Sequence, residues 1–189
     1  PSSLRIWVRD TGKGIPAALM MTFTHALFET IAAHEEQPQR IMSMINDAFI
    51  KETDADMFCT FFMGVLNLQT GTLTYCNAGH EYPLLIGKGV EKLSMLPNLP
   101  LGTIEGFTYK EQEIQLQPGT VLFLYTDGVT EANDNYKEFY GKENLLKTLN
   151  KNKDNDLSAI IKSIETDVNE FCNNKEQFDD ITMFIIKME

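Results

Sequence analysis

The run MFCTFFMGVLNLQTGTLTYCNAGHEYPLLIG, Met57–Gly87, is dominated by aromatic, β-branched and other apolar residues, with Gln69-Thr70-Gly71 as a turn signal in its middle. That pattern predicts a buried hairpin. Upstream the period changes. Pro16 suits the first position of a helix, and Leu19, Phe23, Leu27 and Ile31 recur every four residues, predicting a helix over about 15–33. After Pro38, the spacing of Ile41, Met44, Ile45, Ala48 and Phe49 predicts a second helix that ends before the polar KETDAD, Lys51–Asp56. Downstream, Phe107–Leu116, Val121–Thr126 and Ile181–Lys187 read as strands. Between the last two, Glu143–Leu149 and Leu157–Phe171 carry helical spacing. Helix pairs flanking a set of antiparallel strands define an α/β sandwich.

At 189 residues the chain reads as one domain, 1–189. Sixteen Lys and Arg against 27 Asp and Glu leave a net charge of −11, and no basic run occurs, which argues against nucleic acid and anionic membrane surfaces as partners. The longest mostly apolar run, Met57–Leu66, is half of what spans a bilayer, and no signal peptide precedes Leu4, so a soluble cytoplasmic domain is expected. Cys59, Cys76 and Cys172 form no CxxC or Cys/His cluster and read as buried reduced thiols.

Chemistry concentrates where acids interrupt apolar strands. VLFLYTDG, Val121–Gly128, runs a strand straight into Asp127; FDDITMFII, Phe178–Ile186, sets Asp179 and Asp180 immediately before another. A carboxylate at a buried strand end is costly unless neutralised. If the two strands are neighbours, their ends gather hard oxygen ligands without His or Cys, a set that suits Mg²⁺ or Mn²⁺ and not zinc. Alone, each motif reads equally well as a turn Asp or a capping Asp. A third stretch, RDTGKGIPAAL (Arg9–Leu19), has two incompatible readings: the ATP-binding box of a histidine kinase, or the entry to the first helix of a metal-dependent serine phosphatase.

Taken together, the Met57–Leu85 run, Pro100-Leu101-Gly102, LFLYTDGVTEA (Leu122–Ala132) and DDITM (Asp179–Met183) resemble, in order and spacing, the RsbU/SpoIIE-type serine phosphatases of the metal-dependent protein phosphatase (PPM) family. The resemblance implies an αββα sandwich of two mainly antiparallel sheets flanked by helix pairs. It implies two Mn²⁺ or Mg²⁺ ions, with an activated water attacking a phosphoserine or phosphothreonine and no side-chain nucleophile. Asp127 and Asp179 fall on the family's metal ligands. Asp180 would orient Asp179 or a bound water. Asn77 and His80 would organise their loop, Gly12 and Gly14 the helix entry, and His25 and His34 receive no role. By the same resemblance the substrate would be a phosphorylated regulator such as an anti-sigma-factor antagonist. The domain would be the output end of a chain with an upstream sensor, pressed on at the second helix by that sensor or by a second copy in a homodimer.

Two features depart from the family. Its first strands, with a GGD motif, normally lie well upstream, so the domain is expected to be N-terminally incomplete. Family members also read D-V-S-G-K-G, whereas Arg9 holds the place of that Asp and Asp10 sits one residue closer to the glycine. Because a one-residue slip turns a strand side chain to the opposite face, two outcomes stay open. Either the turn shifts and Asp10 reaches the ions, or Arg9 projects toward them and weakens or abolishes their binding. The second outcome feeds an alternative reading, a non-catalytic partner-binding module. The kinase reading lacks an upstream Asn-bearing helix and a second Gly-rich box.

Overall fold

The computed structural model describes residues 2–10, 15–52, 57–134, 138–173 and 180–189. The chain forms two compact units, Pro1–His80 with Met95–Leu116, and Glu81–Ser94 with Gln117–Glu189.

In the first unit an antiparallel sheet in the order β1-β2-β3-β6 is built from β1 (Ser3–Asp10), β2 (Thr60–Asn67), β3 (Thr72–Ala78) and β6 (Gln112–Gln115). Its helices are α1 (Ile15–Ala32) and α2 (Pro38–Glu52), within a residue or two of the spans that periodicity predicts. The α2 stripe of Ile41, Ile45 and Phe49, with Phe28 of α1, forms one buried cluster with Phe61 and Met63 of β2 and Cys76 of β3. Removing each such side chain from water contributes about 1.5–3 kcal/mol. Phe62, Leu66 and Leu73, on the other face of the hairpin, are also fully buried. Burial on both faces explains why the segment reads as a continuous apolar run and not as a strict alternation. The hairpin turn is tied by Asn67, whose Oδ1 accepts from the amides of Gln69 (2.9 Å) and Thr70 (3.1 Å).

The second unit holds the antiparallel sheet β5-β4-β7-β8, made of β4 (Leu84–Ile86), β5 (Val90–Lys92), β7 (Val121–Tyr125) and β8 (Met183–Lys187). Helices α3 (Gly141–Asn152) and α4 (Leu157–Phe171) join it through Leu145, Leu149, Ile160, Ile164 and Val168, which cluster with Phe123 and Tyr125. Asp156 caps α4, its Oδ1 accepting from the Ala159 amide at 2.8 Å. The two helices share a polar tie as well: the Tyr140 and Thr148 hydroxyls both donate to Asp167 Oδ2.

The strand expected over Phe107–Leu116 is confined to Gln112–Gln115. Ahead of it the backbone is engaged elsewhere. The Lys110 amide donates to Asn98 Oδ1 (2.8 Å), and the Phe107 amide closes a turn onto the Ile104 carbonyl. The segment is also held from α2: buried Asn46 donates to the Ile104 carbonyl (2.9 Å) and accepts from the Gly102 amide (3.0 Å) and the Tyr109 hydroxyl (3.3 Å). Strand β5 was not foreseen from the sequence. Among the described residues, no helix is long and apolar enough to cross a membrane.

Candidate active site

The register of β7 against β8, Tyr125 opposite Met183, runs the two chains antiparallel so that the end of one meets the start of the other. Asp127, which follows β7, and Asp180, which precedes β8, therefore lie at one end of the sheet. Two residues beyond β7, Asp127 opens a single 3₁₀ turn, Asp127–Val129, and is half-buried; Asp180 is exposed. Thr126, only 5% exposed, sits between strand and turn. Its amide continues the ladder by donating to the Thr182 carbonyl (3.1 Å), but its own carbonyl accepts from Val129 and so holds the 3₁₀ turn. The hydroxyl takes the ladder place that the carbonyl has left. Thr126 Oγ1 accepts from the Thr182 amide (3.0 Å) and donates to the Asp180 carbonyl (3.0 Å).

Beside this end, on the helix face of β7, the Tyr125 hydroxyl donates to Glu81 Oε2 (3.4 Å), which also pairs with Lys142 Nζ at 2.8 Å. Burial, and then the charge on Glu81, push the Tyr125 phenol well above its usual range, so it stays a donor at neutral pH. A groove of about 900 Å³ opens at the Val121 end of the same strand, between Lys88, Lys153 and Lys187. It is at the end of the sheet remote from Asp127, so cavity size alone points away from the acids.

In the first unit, β1 remains a strand through Asp10, paired with Thr60. Its odd residues face α1. The Trp7 ring lies 5.2 Å from that of Phe28, Arg5 Nη1 donates to the Ala32 carbonyl, and Arg9 Nε points at Met21 Sδ (2.7 Å) with its guanidinium 4.8 Å over the Trp7 ring. Asp10 shares the opposite face with buried Ile6 and Val8. Of the two outcomes left open, Arg9 is seen on the α1 side: period-two alternation commits it to the aromatic and thioether surface beneath α1. Desolvation there lowers the Arg9 pKa without discharging it.

Thr60, opposite Asp10, makes a second hydroxyl link, with Oγ1 3.1 Å from His80 Nδ1. Asn77 closes the loop that carries His80. Its Nδ2 donates to the His80 carbonyl (2.9 Å), and its Oδ1 accepts from the His80 amide (2.8 Å). Gly79 between them has φ +74°, and a Cβ there would meet Pro100 Cγ at 2.7 Å, so both conformation and space demand glycine. The His25 ring lies tilted against that of Trp7, 5.5 Å between ring centroids.

Gly12, Gly14 and Asp179 lie outside the described residues. Among the described residues no three of His, Cys, Asp and Glu form a metal-holding group. Thr126 and Thr60 are the residues that sequence reasoning passed over. The signal was present in Thr126, a hydroxyl at the last ladder position before an acid, but it reads there only as part of a turn.

These elements are those of PP2C phosphatase domains. The SiaA-PP2C domain of Pseudomonas aeruginosa matches over 100% of this chain and 81% of its own at a TM-score of 0.83 and 18% identity. RsbX in complex with magnesium matches over 97% and 80%, at a TM-score of 0.69 and 19% identity. A model of the family Stage II sporulation protein E (SpoIIE) matches residues 3–189, and the chain belongs to that family. The αββα phosphatase class expected from the sequence is thereby shown, and the kinase reading of Arg9–Leu19 is overturned. Protein IcfG of Synechocystis sp. is 34% identical over 137 residues, 70% of this chain and 21% of that protein. Phosphoserine phosphatase RsbU of Bacillus subtilis is 26% identical over 188 residues, 98% of this chain and 56% of that protein. The chain spans about half of the latter's length and about a fifth of the former's.

Proposed function

We propose that this domain is a divalent-metal-dependent phosphoserine/phosphothreonine protein phosphatase of bacterial signalling. The observation that carries the reading is the β7–β8 register, which brings the Thr126-Asp127-Gly128 end and the residue next to Asp179 to one end of a sheet. Asp127 and Asp179 would hold the metal, with Asp180 beside them orienting Asp179 or a water; the family resemblance adds Asp10, on the β1 face that Arg9 leaves free. The fit is chemical. These are oxygen donors, suited to Mg²⁺ or Mn²⁺, and RsbX was captured with magnesium. When bound, such ions supply a water nucleophile at neutral pH and neutralise the phosphoryl oxygens.

The chain's own contribution is placement. The 3₁₀ turn fixes the Asp127 backbone through Val129 and Thr126, while Asn77 and His80 order the loop beyond β3. The substrate we infer is a phosphorylated regulator of the anti-sigma-factor-antagonist type, in the cytoplasm, with an upstream sensor in the same chain acting on α2 and a homodimer as one means of doing so. The 26% identity to RsbU over nearly the whole chain supports this. The packing of the Arg9 guanidinium on Trp7 speaks for the catalytic reading over the non-catalytic alternative.

Hydrolysis of para-nitrophenyl phosphate by the chain with Mn²⁺ or Mg²⁺, abolished by EDTA and restored by metal, tests the proposal. Turnover that survives exhaustive chelation refutes it.

A further inference from the structure

We infer that Thr126 is a positioning residue for the metal-holding acids, acting through its hydroxyl as a clasp between the two strand ends that carry them. The inference rests on the reading of Asp127 and Asp179 as metal ligands. Its basis is an exchange of hydrogen-bonding duties. In a regular antiparallel pair, Thr126 and Thr182 would each give an amide and a carbonyl to the other. Here the Thr126 carbonyl is withdrawn to hold the 3₁₀ turn through Val129, which sets the backbone of Asp127. The ladder would end one bond early, leaving the Thr182 amide and the Asp180 carbonyl to find other partners.

Thr126 Oγ1 satisfies both at 3.0 Å, as acceptor to one and donor to the other. A single hydroxyl thus ties the residue before Asp127 to the residue after Asp179. Both of its lone-pair and proton functions are used, and Thr126 is 5% exposed, so water does not readily substitute. The bonds reach only backbone atoms. The role is therefore to hold the backbone that leads into Asp127 against that of Asp180 and Thr182, not to touch metal or substrate.

Valine at this position keeps the shape and removes both bonds; serine keeps both bonds and loses a methyl group. Mn²⁺ is titrated calorimetrically into the 189-residue chain and into Thr126→Val, Thr126→Ser and Asp127→Asn, with melting curves to establish that each is folded at the titration temperature. A residue supporting a metal ligand typically costs 10–100-fold in affinity when removed, so Thr126→Val is expected to weaken Mn²⁺ binding about tenfold or more, with Thr126→Ser within about threefold of the parent. A residue that only stabilises the fold would lower the melting temperature and leave affinity unchanged.

Undiminished Mn²⁺ affinity in folded Thr126→Val, while Asp127→Asn loses it, overturns the clasp and leaves the metal reading standing. Equal losses in the valine and serine variants also overturn it. Undiminished binding in Asp127→Asn, or no binding by the parent chain, overturns the metal reading and the clasp with it. Should the valine variant fail to fold, Thr126→Ala takes its place under the same criteria.

Discussion

Asn46→Ala probes how α2 holds the Asn98–Tyr109 segment. Asn46 is fully buried, and its amide group serves four partners: the Ile104 carbonyl at 2.9 Å, the Gly102 amide at 3.0 Å, Asp47 Oδ1 at 3.1 Å and the Tyr109 hydroxyl at 3.3 Å. Alanine strands them unequally. Tyr109 keeps a second acceptor, the Pro100 carbonyl at 3.3 Å, and Ile104 is exposed enough for water to reach it. The Gly102 amide has no second partner among the described residues, and its residue is half-buried. A Cβ there would stand 2.6 Å from the Met57 carbonyl and 2.8 Å from the Phe49 ring. Counting about 1–2 kcal/mol for that stranded amide and about 0.5–1.5 for the lost Ile104 bond gives roughly 1.5–3.5 kcal/mol. For a chain of this size that corresponds to a melting temperature lower by about 5–10 °C. Differential scanning calorimetry of Asn46→Ala beside Tyr109→Phe, which removes the long bonds of one hydroxyl to Asn46 and to the Pro100 carbonyl and should cost about 1 kcal/mol, makes the comparison. An Asn46→Ala melting point within 2 °C of the parent would mean that Asn98 and the two backbone hydrogen bonds exchanged between Cys59 and Leu101 hold the segment unaided, and the reasoning would be refuted.

Asp127→Asn should reduce metal-dependent turnover about a hundredfold or more with melting nearly unchanged; a few-fold loss with metal still bound would make Asp127 a turn residue only. Arg9→Met should cost about 0.5–1 kcal/mol through the lost Trp7 contact and leave Mn²⁺ affinity within about twofold; a large gain in affinity would show that the guanidinium does face the acids. Burial pushes the Cys59 and Cys76 thiols up to about 12 from a reference of 9.0. Folded-state values raised above the unfolded ones give stability that is full below about pH 9 and drains as pH rises toward 12, so urea midpoints should fall across that window, and less steeply in Cys76→Ala. Native protein at pH 8 should leave all three buried cysteines unlabelled by iodoacetamide and expose them in denaturant; rapid native labelling of Cys59 would contradict its burial.

Long periodic elements were legible because one residue type in one phase dominates them. The α4 span, Leu157–Phe171, coincides with the apolar repeat, and α1 differs from its expected end by a residue. The Phe107–Leu116 strand was over-read because its apolar alternation is real while its backbone is bonded to Asn98 and tied to Asn46, 58 residues away from Ile104. The face of Arg9 was left open for a related reason. A motif alignment fixes position along the chain but not the face, which the ladder to β2 decides. The acids at Asp127 and Asp180 were found from their interruption of apolar runs, whereas the Thr126 hydroxyl became visible only once the neighbouring carbonyl was seen to have turned away.

The division of the chain into units carries a consequence for how such a protein can be made and remade. The polypeptide passes from one unit to the other after His80, returns at Met95, and leaves again after Leu116. On the ribosome, the first unit lacks its last strand until Gln115 has emerged. By then β4 and β5 have already been delivered to a sheet whose central strand, β7, does not yet exist. A protease nick anywhere in 81–94 or 95–116 would sever a unit that encloses neither cut end as a terminus. Recombination that exchanged one unit for a relative's would need three simultaneous breakpoints, so the two halves are bound to be inherited together.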